Sequence, residues 1–342
     1  MIKSLQSLRA IGALMIFTHH FAHQYDLPGL WVEPFGAFPV NWFMILSGFV
    51  LCVAFSDRVQ SPPTIASIGG FMRRRFIRFA PIYYIGLIFG LLSCIANNSH
   101  IALKHILPSV VMIQSWVPIE HVYFGVNAPA WFTSDIFFCY LLFLPMLWLI
   151  RKRPVVSGVL LAVVIAIYIS LLIVIPAGCR LDQYLFYVVP LTQLPSFMIG
   201  MLLWQLFRRV KPLKLSSAGA NVLIFTALAL ACGAIALNGF ISQRLALSFY
   251  WWIPSAMLIF TLALTDTTDC FASRMLHWRP LVVLGNASMV FYLLHRPLVV
   301  FAQIAANKSG MNVPLPLIWA LALAVMIAVS VAIHRRFYPS RL

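Results

Sequence analysis

Apolar positions fall into long uninterrupted runs, and the polar positions gather in short intervals between them. About ten runs of roughly 15–24 residues suit a bilayer core of about 30 Å. They cover 5–21, 40–54, 79–96, 131–150, 155–175, 184–207, 218–237, 249–264, 280–301 and 315–333. The pattern predicts an all-α, polytopic membrane protein with about ten transmembrane helices and a single membrane-embedded domain over 1–342. The longest connection, 97–130, holds His100, Lys104, His105, Glu120 and His121. A short interfacial or re-entrant helix is expected there around 101–117. A long ordered loop over a pore mouth often carries function, although a solvated outer cap reads equally from the sequence.

Composition agrees with this reading. The chain is 62% hydrophobic and 9% charged, with a mean hydropathy of +0.93, values foreign to a soluble domain. The formal charge of +16 would suit nucleic acid, but the cations sit in short loops between apolar runs, so no nucleic-acid partner is expected. With the N-terminus inside and the spans alternating, only Lys104, Arg180, Arg244 and Lys308 fall in outer loops. The inner side receives Lys3, Arg9, Arg58, the Arg73–Arg75 run with Arg78, Arg151, Lys152, Arg153, Arg208, Arg209, Lys211, Lys214, Arg274, Arg279, Arg335, Arg336 and Arg341. That asymmetry supports an even number of spans and cytoplasmic termini. The first run lacks a small-residue cleavage site after it and reads as an uncleaved span. The six cysteines form no CxxC pair and read as packing residues.

Four stretches carry polar groups where they are costly. In LQSLRAIGALMIFTHHF, Arg9 and His20 are eleven positions apart. Eleven helical steps return to within about 20° of the starting direction, so the two share one face, about 16 Å apart along the axis. Two readings stand: both side chains reach the membrane surfaces, or both face a bundle interior or wet cavity. In FMRRRFIRFAPIYYI, Arg74, Arg75 and Arg78 share a helix face at spacings of three and four. Guanidinium forks suit bidentate phosphate contacts, while a topogenic cluster meeting anionic lipid headgroups explains the charge as well. In APAWFTSDIFFCYLLF, Asp135 lies about a turn inside the fourth run and needs a partner or hydration. In LGNASMVFYLLHRPLV, His295 and Arg296 lie in the middle to outer half of the ninth run, and Tyr292 shares a face with His295. An HxxH occurs at His20 and His23 without an acid at metalloprotease spacing, so no metal is expected. Walker, GxGxxG and GxSxG motifs are absent.

Together these stretches resemble the membrane-bound acyltransferase-3 family. SLRAIGALMIFTHH supplies an arginine, ten residues and a histidine. NWFMILSGFVL supplies Phe43, Ser47, Gly48 and Phe49 of a second-span phrase. Arg75, Arg78 and Pro81 match an RxxRxxP phrase. Trp131 to Phe143 match a tryptophan-led span, and SMVFYLLHRP matches a late SYxxYLxHxP phrase. The chain departs from the pattern at WFTSDIF, where many members read WSLSVEE. The resemblance implies transfer of an acyl group, acetyl by family frequency, from cytoplasmic acetyl-CoA or another acyl-CoA to a hydroxyl of an outward-facing glycan or lipid-linked sugar, such as exopolysaccharide or O-antigen. It implies a bacterial inner membrane location. It casts His20 as the base, with His19 as its rival, and Asp135 as an orienting or charge-stabilising group. It casts Arg9, Arg74, Arg75 and Arg78 as donor-binding, and Trp131, Tyr292 and His295 as acceptor-binding. The rival class is a transporter or flippase for an anionic glycan lipid. It would use the same intramembrane charges, but the matching broken halves common in transporters are not evident.

Overall fold

A computed structural model describes all residues except 1, 28, 30, 31, 98–101, 211–214, 311 and 339–342. His100, Lys211, Lys214 and Arg341 of the readings above, and the first residue of the expected 101–117 helix, lie outside the described residues. The described residues form fifteen α-helices joined by short 3-10 turns and one π turn, with no strand among them. In chain order these are α1 (Lys3–Gln24), α2 (Pro34–Phe55), α3 (Ile65–Ala96), α4 (Leu103–Val110), α5 (Glu120–Tyr123), α6 (Trp131–Lys152), α7 (Pro154–Val174), α8 (Pro190–Val210), α9 (Ser217–Leu237), α10 (Gln243–Leu247), α11 (Trp252–Thr265), α12 (Phe271–Leu276), α13 (Arg279–Asn286), α14 (Ser288–Ser309) and α15 (Leu315–Phe337).

Eight helical stretches among the described residues are long and apolar enough to cross a membrane, and Phe249–Thr265 is a shorter apolar one. The chain is an all-helical integral membrane protein. α1 has the length of a span, 22 residues, but carries its polar groups at both ends. Two boundaries differ from the sequence reading. α3 begins at Ile65 and runs 32 residues, about 48 Å, so the arginine cluster lies inside a helix that outruns the hydrocarbon core rather than at its start. The run expected at 280–301 is two helices, broken at Ala287, with α14 continuing to Ser309. The expected helix of the long connection is α4, which ends at Val110.

The helices pack as two compact units. The first comprises Met1–Pro39, Ala80–Trp131 and Phe271–Leu342. In it α1 lies against α12, α13, α14 and α15, and α13 and α15 also pack on α14. Gly285 on α13 makes the approach to α1 possible, since a Cβ there would meet Gln6 O at 1.9 Å. Small residues at such crossings let backbones come close where no hydrophobic effect drives helices together.

The long connection is sewn onto this unit by hydrogen bonds, most of them buried. Tyr83 and Tyr84 hydroxyls donate to Ser109 O (2.5 Å) and Val110 O (2.9 Å). Gln114 Nε2 donates to Ala130 O at 2.7 Å. Pro297 has no N–H to give to Leu293 O, its partner four residues back. Asn127 Nδ2 replaces that donor at 2.8 Å, and also reaches Gly86 O at 3.3 Å. A backbone carbonyl left bare in a membrane would cost several kcal/mol, so this contact accounts for a proline inside α14.

The second unit comprises Val40–Phe79 and Phe132–Cys270. In it α11 packs on α8 and α9, and α7 on α8. Gly48 and Gly200 face each other's helices: their Cβ atoms would meet Phe197 O at 2.2 Å and Ile45 O at 1.8 Å. Gly48 of the second-span phrase is therefore a packing requirement of the crossing between α2 and α8. Helix ends are closed by Ser216 Oγ, which accepts from Gly219 N at 3.1 Å at the start of α9. At the end of α7, Arg244 donates to Leu172 O, Ile175 O and Pro176 O and pairs with Asp182.

Candidate active site

The last two turns of α1 carry His19, His20, His23 and Gln24 in sequence, and the turns of the helix send them to different partners. His20 faces α14. Its ring centroid lies 5.1 Å from that of His295, at an interplanar angle of 40°. His20 is half-buried, whereas His295 is fully buried. The interior-facing reading of the His20 end of α1 is therefore the one observed. Nδ1 of His295 is 2.7 Å from Tyr292 O. A carbonyl only accepts, so Nδ1 carries the proton and Nε2 presents its lone pair. That Nε2 is buried and has no hydrogen-bond partner among the described residues. Tyr292 is buried beside the same ring, with centroids 5.9 Å apart.

His19 turns the other way. Its Nδ1 is 3.0 Å from Val32 O, and its ring is 5.2 Å from that of His20. This separates the two neighbouring imidazoles: one is held by a loop carbonyl, and the other faces α14. Arg9, eleven residues earlier on α1, is half-buried.

Beside the histidine pair, a cavity of about 590 Å³ opens beneath the long connection. Gln24, Arg296, His105, Glu120 and His121 line it together with Cys94, Gly125 and Val126. Arg296 donates to Gln24 Oε1, Gln24 Nε2 donates to Gln303 Oε1, and Gln303 Nε2 returns a bond to Gln24 O at 2.8 Å. This network holds a guanidinium at the cavity wall. The sequence reading passed over Gln24 and Gln303. Their signal was present: Gln303 lies seven residues after Arg296, on the same face of α14. Gly90 admits the connection at closest approach, since a Cβ would meet Val126 O at 2.4 Å.

The arginine cluster lies in the second unit. Arg75 is enclosed by rings, with its guanidinium carbon 5.2 Å from the Phe55 centroid, 5.1 Å from Phe71 and 5.5 Å from Tyr140. Arg58 covers Phe55 at 5.2 Å. A cavity of about 350 Å³ lies next to these groups, lined by Arg58, Arg74, Ser61, Thr64, Ser67, Gly70, Phe55 and Phe71. Arg75 thus supports two rings of the cavity wall, and Arg74 reaches the cavity itself. Arg78 is exposed and is not among the lining residues. Arg58, read from the sequence only as an inner-side charge, is the second cation at this cavity. Thr64 Oγ1 caps the helix that follows, accepting from Ser67 N at 3.2 Å.

Trp131 is buried at the start of α6. Asp135, one turn on, has no exposure, which excludes a carboxylate hydrated at the interface. Its electrostatic neighbours in the second unit include Cys139, Tyr184 and Tyr187.

The sequence model of a family described as "Acyltransferase domain" matches residues 2–335. The chain is also similar to acyltransferase MdmB of Streptomyces mycarofaciens. The two are 25% identical over 318 residues, which is 86% of this chain and 78% of the relative. No solved structure matches the chain.

Proposed function

Because the chain belongs to the acyltransferase family matched along residues 2–335, and acyl transfer is the activity of that family, we propose that it moves an acetyl or related acyl group from cytoplasmic acyl-CoA to a hydroxyl of an outward-facing glycan or lipid-linked sugar. The observation that carries the reading is the apposition of His20 and His295 beside a polar cavity. An imidazole one turn from Gln24, which lines a space large enough for a sugar, suits a general base. His20 takes the proton of the acceptor hydroxyl as its oxygen attacks the thioester carbonyl. The C–S bond breaks, and the imidazolium returns the proton to the departing thiolate. The products are the ester and free CoA. His295 Nε2, whose lone pair has no partner among the described residues, is the acceptor that would orient His20 and fix its tautomer as the rings close, as a carboxylate does in hydrolase triads. Asp135 remains a proposed charge-stabilising group, and Trp131 and Tyr292 proposed acceptor contacts. Arg296 and the loop residues His105, Glu120 and His121 meet the sugar hydroxyls.

The donor's phosphates bind at Arg74, with Arg58 added to the set proposed from sequence. Arg75 keeps the aromatic wall in place, and Arg78 and Arg9 serve the approach and the path of the donor. Two cations and several hydroxyl groups at one cavity match the phosphates of a nucleotide-bearing thioester. The reaction requires the acyl end of the pantetheine arm to reach His20.

The test uses purified full-length protein with radiolabelled acetyl-CoA and a lipid-linked oligosaccharide. His20→Ala is expected to lower kcat by about 10²–10⁴-fold, the usual worth of a general base. Combined Arg58→Ala and Arg74→Ala substitution is expected to raise the KM for acetyl-CoA with less effect on kcat. Full transfer by well-folded His20→Ala protein would remove the proposed base. Glycan translocation without any acylated product would favour the transporter reading instead.

A further inference from the structure

A second group of ligating side chains lies on the face of α1 next to the one that meets His295, and no step of acyl transfer uses it. His19 and His23 are four residues apart and meet edge to face, with ring centroids 4.4 Å apart. Glu33, at the entry to α2, comes to the same place, with its Oε1 3.1 Å from His23 Nε2. One ligand atom from each of the three residues lies within 4.8 Å of the other two. We propose that His19, His23 and Glu33 bind a divalent cation of the zinc class, tying the end of α1 to the start of α2.

The ligand set fits that class. Two imidazoles and a carboxylate, with a fourth position left to water, make up a three-ligand zinc site. Tetrahedral bonds of 2.0–2.1 Å put ligand atoms about 3.3 Å apart. The His23–Glu33 pair already has that spacing, and the remaining separations close by rotation of partly exposed side chains. Alkaline-earth ions prefer six or more oxygens and are poorly served here. The outer shell is also built. His19 Nδ1 is bonded to Val32 O, so Nε2 carries the lone pair and the ring is held in place. An imidazole whose other nitrogen donates to a backbone carbonyl is the usual arrangement around a bound metal. Gly36 leaves room for that ring, since a Cβ would lie 2.7 Å from His19 Nε2. The HxxH reading missed this set because it paired His20 with His23 and sought the acid at helical spacing. The acid comes instead from ten residues beyond His23, across a turn.

The experiment is zinc titration of the full-length protein, purified with a tag that contains no histidine and stripped of metal, read by calorimetry and by metal analysis after desalting. One equivalent of Zn²⁺ per chain is expected, unaffected by excess Mg²⁺, with a rise in thermal unfolding temperature. His23→Ala and Glu33→Gln, both at exposed positions, should each weaken binding at least about tenfold. A His105→Ala, His121→Ala double variant should bind as the parent does. Failure of the parent protein to take up stoichiometric Zn²⁺ would overturn the site and leave His23–Glu33 as an ordinary ion pair. So would unchanged affinity in both single variants, or loss of binding in the double variant. No outcome depends on acyl transfer, so the result stands apart from the reading of His20.

Discussion

His295 is the residue on which the two histidine-bearing helices meet, and its tautomer is fixed by a bond within its own helix turn. If its Nε2 orients His20, His295→Ala should lower kcat by about 10–100-fold while leaving the KM for acyl-CoA unchanged. A side chain that can still accept a hydrogen bond, as in His295→Gln, should recover part of the loss. Steady-state kinetics on both variants separates this from simple disruption of the core, which would depress both substitutions together and lower the unfolding temperature. At this scale the sequence was informative where chemistry repeats along one helix. The spacing of Arg9 and His20 put them on one face, and the setting of His295 at membrane depth marked it as constrained. It could not show that His20 meets His295, because the residues are far apart in sequence. Nor could it show that Asn127 supplies the donor that Pro297 lacks, a contact made across 166 residues.

The helices were legible from apolar runs, but their breaks and crossings were decided by contacts that hydropathy does not encode. The run through LVVLGNASMVF is apolar enough to read as one span. It divides at Ala287, two residues after Gly285 meets the backbone of Gln6. The arginines of α3 read as the start of a span because charge interrupts hydropathy, yet nothing in RRRFIR breaks a helix. Glycines that let backbones touch should therefore be far less tolerant than glycines facing open space. Gly200→Ala would put a methyl group 1.8 Å from Ile45 O, while Gly158→Ala meets nothing within 4 Å. The first substitution should destabilise the protein by about 1–3 kcal/mol or more through forced separation of the helices. The second should be neutral or slightly stabilising, since alanine is the better helix former. Thermal unfolding in a single detergent checks the pair. Equal behaviour of the two variants would show that the crossing of α2 and α8 yields freely.

Over the whole molecule, the distribution of charge predicts the topology. Eight stretches among the described residues are long and apolar enough to cross a membrane, and adding the 22-residue α1 and the shorter apolar Phe249–Thr265 makes ten candidate passages. An even number returns the chain to the side on which it began. The positive-inside rule then predicts that Arg58, Arg74 and the basic ends of α6, α8 and α15 face the cytoplasm and that Lys104 faces outward. The proposed reaction depends on this arrangement, since its proposed donor, acyl-CoA, is cytoplasmic and its proposed acceptor faces outward. A C-terminal fluorescent-protein fusion should fold and fluoresce, and a C-terminal alkaline phosphatase fusion should be inactive. A cysteine placed at Ser61 in a cysteine-free background should react with a membrane-impermeant maleimide only after the cells are opened. One placed at Lys104 should react in intact cells. Labelling of Lys104→Cys and Ser61→Cys from the same side would break the alternation. An active C-terminal phosphatase would place the arginine cavity away from the donor, and the direction of transfer argued from it would fail even if the histidine pair proved catalytic.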